Sequence, residues 1–184
     1  MLKSDILRTY NMSKGNKYKR YIGCFREIGV QAVIIFRFGQ WITKSNMVVK
    51  ILLTPFYIFF YWRIRKWGIE IPRTVSIGEG LYIGHYGGIT ISPLAIIGKN
   101  LNLSHSVTIG VSGDGEKRGA PRIGDNVYIA AGAKIFGKIT IGNNVKIGAN
   151  AVIHKSIPDN AIAVAYPGYK IISYDGNKIK TKTL

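Results

Sequence analysis

Residues 71–88, IPRTVSIGEGLYIGHYGG, open a stretch in which a branched aliphatic residue returns every six positions as far as Ile153. The series runs Ile71, Ile77, Ile83 and Ile89, then Ile91, Ile97, Leu103 and Ile109, then Ile123, Ile129, Ile135, Ile141, Ile147 and Ile153. Glycine follows directly at Gly78, Gly84, Gly98, Gly110, Gly124, Gly142 and Gly148. A period of six fits neither a helix nor a simple strand alternation; it marks a parallel β-helix built from hexapeptides. Each hexapeptide lays down one short strand with its aliphatic residue inside, and three of them close a coil of about 18 residues. The predicted fold is therefore mainly β.

The register breaks twice. Between Ile89 and Ile91 the frame shifts by two residues, just after Gly87-Gly88, and between Ile109 and Ile123 it gains eight. The second excess is the Gly- and charge-rich segment VSGDGEKRGAPR, an expected outer loop at 111–122. Solenoid insertions of this kind map to one face, often the binding face.

The chain as a whole is basic: 26 Lys+Arg stand against 9 Asp+Glu, for a net charge of +17 over 184 residues. Residues 1–70 hold 13 basic and 3 acidic side chains. Such a balance favours anionic partners, yet no nucleic-acid-binding motif is visible and no nucleic acid is expected. The single Cys24 excludes an intramolecular disulfide framework and a multi-cysteine metal site. The start carries no signal-peptide pattern, so the expected location is cytoplasmic.

The first 20 residues read as a loosely helical basic arm. Near-helical apolar spacing then suggests one helix from Tyr21 to Trp41, and Ser45-Asn46 caps a second from Met47 to about Trp67, which Pro55 should kink or split. Its run ILLTPFYIFFYW (51–62) is shorter than the ~20 residues a bilayer span needs. It reads either as a helix buried on the solenoid end or as a monotopic helix over 47–67 at the inner membrane face. The expected organisation is a basic helical segment 1–70, a β-helix 71–155 and a C-terminal cap and tail 156–184.

The segments GIEIPRTVSIGEGLYIGHYGGITISPLAIIGKNLNLSHSVTIG, APRIGDNVYIAAGAKIFGKITIGNNVKIGANAVI and AYPGYKII resemble the hexapeptide-repeat acyltransferases. More narrowly, they resemble serine O-acetyltransferases and the related capsule and exopolysaccharide acetyltransferases. The resemblance implies a left-handed prism, a homotrimer, active sites between subunits, and acetyl-CoA as co-substrate; whether trimers pair stays open, and the placing of the three histidines argues against a metal. It puts the catalytic histidine at His85 and its carboxylate partner at Glu70, where serine acetyltransferases carry Asp. It puts the thioester and pantetheine contacts at Gly110, Ala131 and Ala149, and a nucleotide-end lysine at Lys170. It also implies departures. Serine acetyltransferases have Asp where this chain has Gly84, and Arg-His where it has Gly119-Ala120.

An acyl transfer to a hydroxyl needs a base and precise placement of both reactants. His85 and His105 each lie two residues after an inward aliphatic residue, and their separation of 20 equals one coil plus the two-residue insertion. They should stack on adjacent coils, with His85 as base, Glu70 holding its tautomer and His105 as acceptor contact or stacking partner. His154 reads as a cap residue. Lys117 and Arg118 in the loop are candidates for an acidic acceptor or a CoA phosphate, and Lys134, Lys138 and Lys146 for the CoA phosphates. Because the side chains that would hold an amino acid are absent at Gly84 and Ala120, the expected activity is acetyl-CoA-dependent O-acetylation of a sugar hydroxyl on a bacterial surface polysaccharide or its precursor. The alternatives are a serine O-acetyltransferase feeding cysteine synthesis and a non-catalytic trimeric polyanion-binding scaffold.

Overall fold

The computed structural model of the chain describes residues 1–165. From Ile69 onward the chain winds into a left-handed parallel β-helix of three sheets. Sheet A holds β1 (Ile69–Glu70), β4 (Ile89–Ile91), β7 (Thr108–Gly110), β10 (Lys134–Phe136) and β13 (Val152–Ile153). Sheet B holds β2 (Ser76–Ile77), β5 (Ile96–Ile97), β8 (Arg122–Ile123) and β11 (Thr140–Ile141). Sheet C holds β3 (Tyr82–Ile83), β6 (Asn102–Leu103), β9 (Tyr128–Ile129), β12 (Lys146–Ile147) and β14 (Ile162–Ala163). Every pairing between these strands is parallel, so each coil hydrogen-bonds to the next.

The six-residue series forms the core, but it fills only half of it. A second inward series stands two residues before the first: Val75, Leu81, Ala95, Leu101, Val107, Val127, Ala133, Val145 and Ala151 are all sealed from solvent at the corners. Ile89 belongs to this second series, paired with the equally buried Ile69. The frame therefore shifts at Gly87-Gly88, which lengthens the coil so that Ile83 meets Leu103. Past Ile153 the coils shorten but continue: Ile157 bridges to Ile141, and β14 pairs with β12.

The corner between sheets B and C needs left-handed backbone, and Asn supplies it at Asn100, Asn126, Asn144 and Asn160, with φ of 57°, 58°, 56° and 60°. Asn tolerates this region because its short polar side chain can hydrogen-bond locally. Here the amides form a ladder, each donating to the next at 2.9, 3.1 and 2.9 Å.

Four helices close the N-terminal end: α1 (Leu2–Met12), α2 (Lys17–Arg26), α3 (Ile28–Lys44) and α4 (Met47–Lys66). The basic arm is thus an ordered helix, and the single helix expected over 21–41 is two, divided at Glu27. Asn46 caps α4 as expected, its side chain accepting from the Val49 N–H at 3.0 Å. Pro55 does not split α4, which runs unbroken through it. Nor is α4 buried: of its 20 residues only Tyr57 and Ile64 are sealed.

What fixes the cap to the prism is an interaction that local patterning could not disclose. Asp5 of α1 and Arg37 of α3 form an ion pair at 2.8 Å with side chains 0% and 5% exposed. Arg37 also donates to the carbonyls of Ile77 and Gly78, and Asp5 accepts from the Leu81 N–H at 2.8 Å. The pair therefore binds both helices to the first coil. Nearby, α3 approaches β3 so closely that a Cβ on Gly29 would strike the Ile83 carbonyl oxygen.

Candidate active site

The corner that leads from sheet C into sheet A carries the only two histidines that meet among the described residues. His85 and His105 follow the inward Ile83 and Leu103 by two positions, and β3–β6 pairing stacks them. Their rings contact edge to face, centroids 5.9 Å apart at 79°, and both remain exposed. The same corner position in the next two coils is occupied by Ala131 and Ala149, because Leu103 pairs with Ile129 and Ile129 with Ile147. One prism edge therefore reads histidine, histidine, alanine, alanine. The reactive groups stand at one end, and the small residues beyond them leave the edge clear for an extended molecule.

Backbone bonds hold the two histidine turns together. The Ser106 N–H donates to Gly87 O at 2.7 Å, and the Gly132 N–H donates to His105 O at 3.1 Å. Ser106 itself sits at φ 59°. Its carbonyl accepts from Lys134 Nζ at 2.6 Å, and the same ammonium donates to Thr108 Oγ1 at 3.1 Å. Lys134 was expected to meet a CoA phosphate; instead its head turns into the wall beside the histidine edge. On the outer face of sheet A the pairings align Glu70, Thr90, Thr108 and Lys134 in one row alongside that edge.

The expected Glu70–His85 dyad is not formed. The Glu70 carboxylate is turned to Arg65 Nη2 at 3.5 Å, both side chains being about half exposed. Arg65 stands in the last turn of α4, just before β1, so it reaches the outward face from which Glu70 projects. At Gly84 a Cβ would lie 3.1 Å from the edge of the Tyr82 ring, a contact that a small shift of that ring relieves. Burial, and then the charge of Glu27, push the Tyr82 phenol above its ordinary pKa, so it stays neutral.

The insertion loop lies elsewhere. It leaves β7 at the corner between sheets A and B, so the width of sheet A separates it from the histidines of the same chain. Ser112 and Gly119 bridge its base, and Lys117 and Arg118 are exposed at its tip. Lys138, a second phosphate candidate, donates from Nζ to the Glu116 carbonyl at 3.1 Å and so braces the loop. The loop, Lys138, Phe136 and His154 line a cleft of about 460 Å³, with His154 stacked on Phe136 at 6.5 Å. Gly110 stands at this far end of sheet A, paired with Phe136 rather than with the alanine column. Lys146 is exposed on sheet C. Lys170 lies outside the described residues. Among the described residues no three His, Cys, Asp or Glu side chains gather as a metal site.

Residues 120–155 match the family described as bacterial transferase hexapeptide (six repeats). Its relatives narrow that class. The serine acetyltransferase of Staphylococcus xylosus is 46% identical over 114 residues, covering 61% of this chain and 51% of that protein. Among solved structures, serine acetyltransferase isoform 3 of Entamoeba histolytica in complex with cysteine superposes with a TM-score of 0.73 at 28% identity, covering 96% of this chain and 61% of that one. Neisseria gonorrhoeae serine acetyltransferase in complex with serine gives 0.72 at 27% identity, covering 92% and 67%. The chain thus spans about half the length of the S. xylosus relative. These relatives overturn the sugar-acetylating activity expected from the sequence. Gly84 and Gly119-Ala120 point to loss of an amino-acid acceptor, but they are three positions against 46% identity over 114 residues.

Proposed function

We propose that the protein is an acetyl-CoA-dependent O-acetyltransferase whose acceptor is L-serine. The observation that carries this is the pair of stacked, exposed histidines at one end of a small-residue edge, in a chain 46% identical over 114 residues to a serine acetyltransferase. His85 acts as general base. It takes the proton of the serine hydroxyl as the oxygen attacks the thioester carbonyl, and it returns the proton to the departing CoA thiolate. His105, in edge contact, limits the orientations of the His85 ring. The pantetheine arm lies along the column formed by Ala131 and Ala149, where no side chain obstructs it.

The acceptor's carboxylate needs a positive partner, and position 84, occupied by glycine, supplies no side chain to either charged group of serine. Lys134 takes this role. Two of its three N–H groups are used by Ser106 O and Thr108 Oγ1, which fixes the ammonium beside the histidine edge and leaves one donor for substrate. The protein works as a homotrimer: the loop with Lys117 and Arg118 is a sheet's width from the histidines of its own chain, and a neighbouring copy brings it to them.

The test is CoA thiol release from acetyl-CoA with and without L-serine. Serine-dependent release is expected, falling by about 10²–10⁴ in His85→Ala while the assembly keeps its sedimentation coefficient. Absence of serine-dependent release by the intact protein would overturn the acceptor assignment.

A further inference from the structure

Helix α4 presents an apolar surface that none of the described residues covers. Val48, Ile51, Leu52, Phe56, Phe59 and Trp62 are each 57–68% exposed. At 100° per residue they fall on one side of the helix, along about 21 Å of its length. On the opposite side only Tyr57 and Ile64 are buried. Tyr57 lies under Arg73 of the first coil, 5.0 Å from guanidinium carbon to ring centre. The helix is thus held flat against the prism end with its apolar side outward. It is long and apolar enough to cross a bilayer by length and composition, but its inner side is already engaged with protein.

Positive charge borders this surface. Arg63, Arg65 and Lys66 close the C-terminal end of α4, and Lys44 and Lys50 flank the other. Trp62 stands at the basic end with Lys66 Nζ 3.8 Å above its ring, and the exposed Trp41 of α3 stands near the start of α4. Indole rings and snorkelling cations at the margins of an apolar face suit the headgroup level of a bilayer. Of the three acids in residues 1–70, Asp5 is sealed inside with Arg37, so the surface there is almost wholly cationic.

We propose that α4 lies in the plane of an anionic phospholipid surface, its apolar side inserted and its flanking cations on the headgroups. Charge decides against a second copy as the occupant. Pairing this face with itself would bring together two regions that each carry 13 basic and 3 acidic residues, with no acidic patch to offset them. The proposal is independent of the acceptor chemistry.

Flotation of the full chain with vesicles tests it. Binding is expected to vesicles of phosphatidylglycerol and phosphatidylcholine, and to be at least tenfold weaker to phosphatidylcholine alone. Phe56→Glu/Phe59→Glu should weaken binding at least tenfold with unchanged helix content and sedimentation coefficient. Arg63→Gln/Arg65→Gln/Lys66→Gln, which leaves the apolar face intact, should remove the preference for anionic lipid. No binding to the anionic vesicles would overturn the proposal. So would a Phe56→Glu/Phe59→Glu variant that binds vesicles normally but sediments as a smaller species, since the face would then hold another copy.

Discussion

Replacing Asp5 by Ala should be among the most damaging single changes in the chain, although it is far from the histidines in sequence. Asp5 is fully sealed and accepts three hydrogen bonds: from Arg37 Nε at 2.8 Å, Arg37 Nη2 at 3.3 Å and the Leu81 N–H at 2.8 Å. Asp5→Ala leaves the guanidinium 5% exposed with only neutral acceptors at Ile77, Gly78 and Gln40. Breaking a buried pair by removing one partner costs about 3–5 kcal/mol, including the orphaned N–H. For a chain of this size that is a fall in melting temperature of roughly 6–20 °C at fixed protein concentration. Asp5→Ala/Arg37→Met should be less damaging than Asp5→Ala alone, because the uncompensated charge leaves with the arginine. Calorimetry on the three proteins measures this. A loss for Asp5→Ala of under about 1 kcal/mol, the range of a surface ion pair, would refute the claim that this pair holds the cap on the first coil.

Two further outcomes follow from side chains the structure ties down. Lys134→Met should raise the KM for serine by about 10–150-fold, the worth of one hydrogen bond to a charged group, with a smaller change in kcat; a fall in kcat with KM unchanged would make Lys134 a support for the Ser106 turn only. The Tyr57 phenol is pushed up to about 12, first by burial and then by Tyr61. A raised folded pKa means stability that is whole below about 10 and is lost as pH rises through 12, so thermal melts should show Tyr57→Phe losing less stability than wild type over that window.

The prism was legible because its physics is local and periodic: one inward aliphatic residue per hexapeptide sets both strand and register. The histidine contact followed from the same arithmetic, since His85 and His105 occupy the same offset in coils whose lengths the sequence discloses. Ala131 and Ala149, named through the family resemblance alone, turn out to stand in that column. The cap was less legible. Nothing near Asp5 announces a partner 32 residues away, so α1 looked like a loose arm, and the break at Glu27 interrupts apolar spacing that reads as continuous. Pro55 looked like a breaker, yet α4 continues through it. Lys134 was legible only as a candidate for the CoA phosphates, because its anchor, the carbonyl of Ser106, is a coil away. Gly84 was read for the side chain it lacks, while the nearness of the Tyr82 ring became visible only in the fold.

The separation of loop and histidines makes the shared site testable by mixing. Ser112 and Gly119 already pair as antiparallel neighbours, their N–H groups each donating to the other's carbonyl at 3.1 Å. A two-residue Asn-Gly turn can therefore replace residues 113–118 without disturbing the prism. If one chain supplies His85 and its neighbour the loop, both the loop-shortened protein and His85→Ala are inactive alone. Unfolded together in equal amounts and reassembled, they form trimers in which a given interface has an intact histidine and an intact loop about one time in four, a consequence of the head-to-tail interfaces of a ring. About a quarter of wild-type turnover should return. Turnover by the loop-shortened protein alone would show the loop to be dispensable. No recovery on mixing would place the complete site within one chain, across a sheet's width that the fold gives no means of closing.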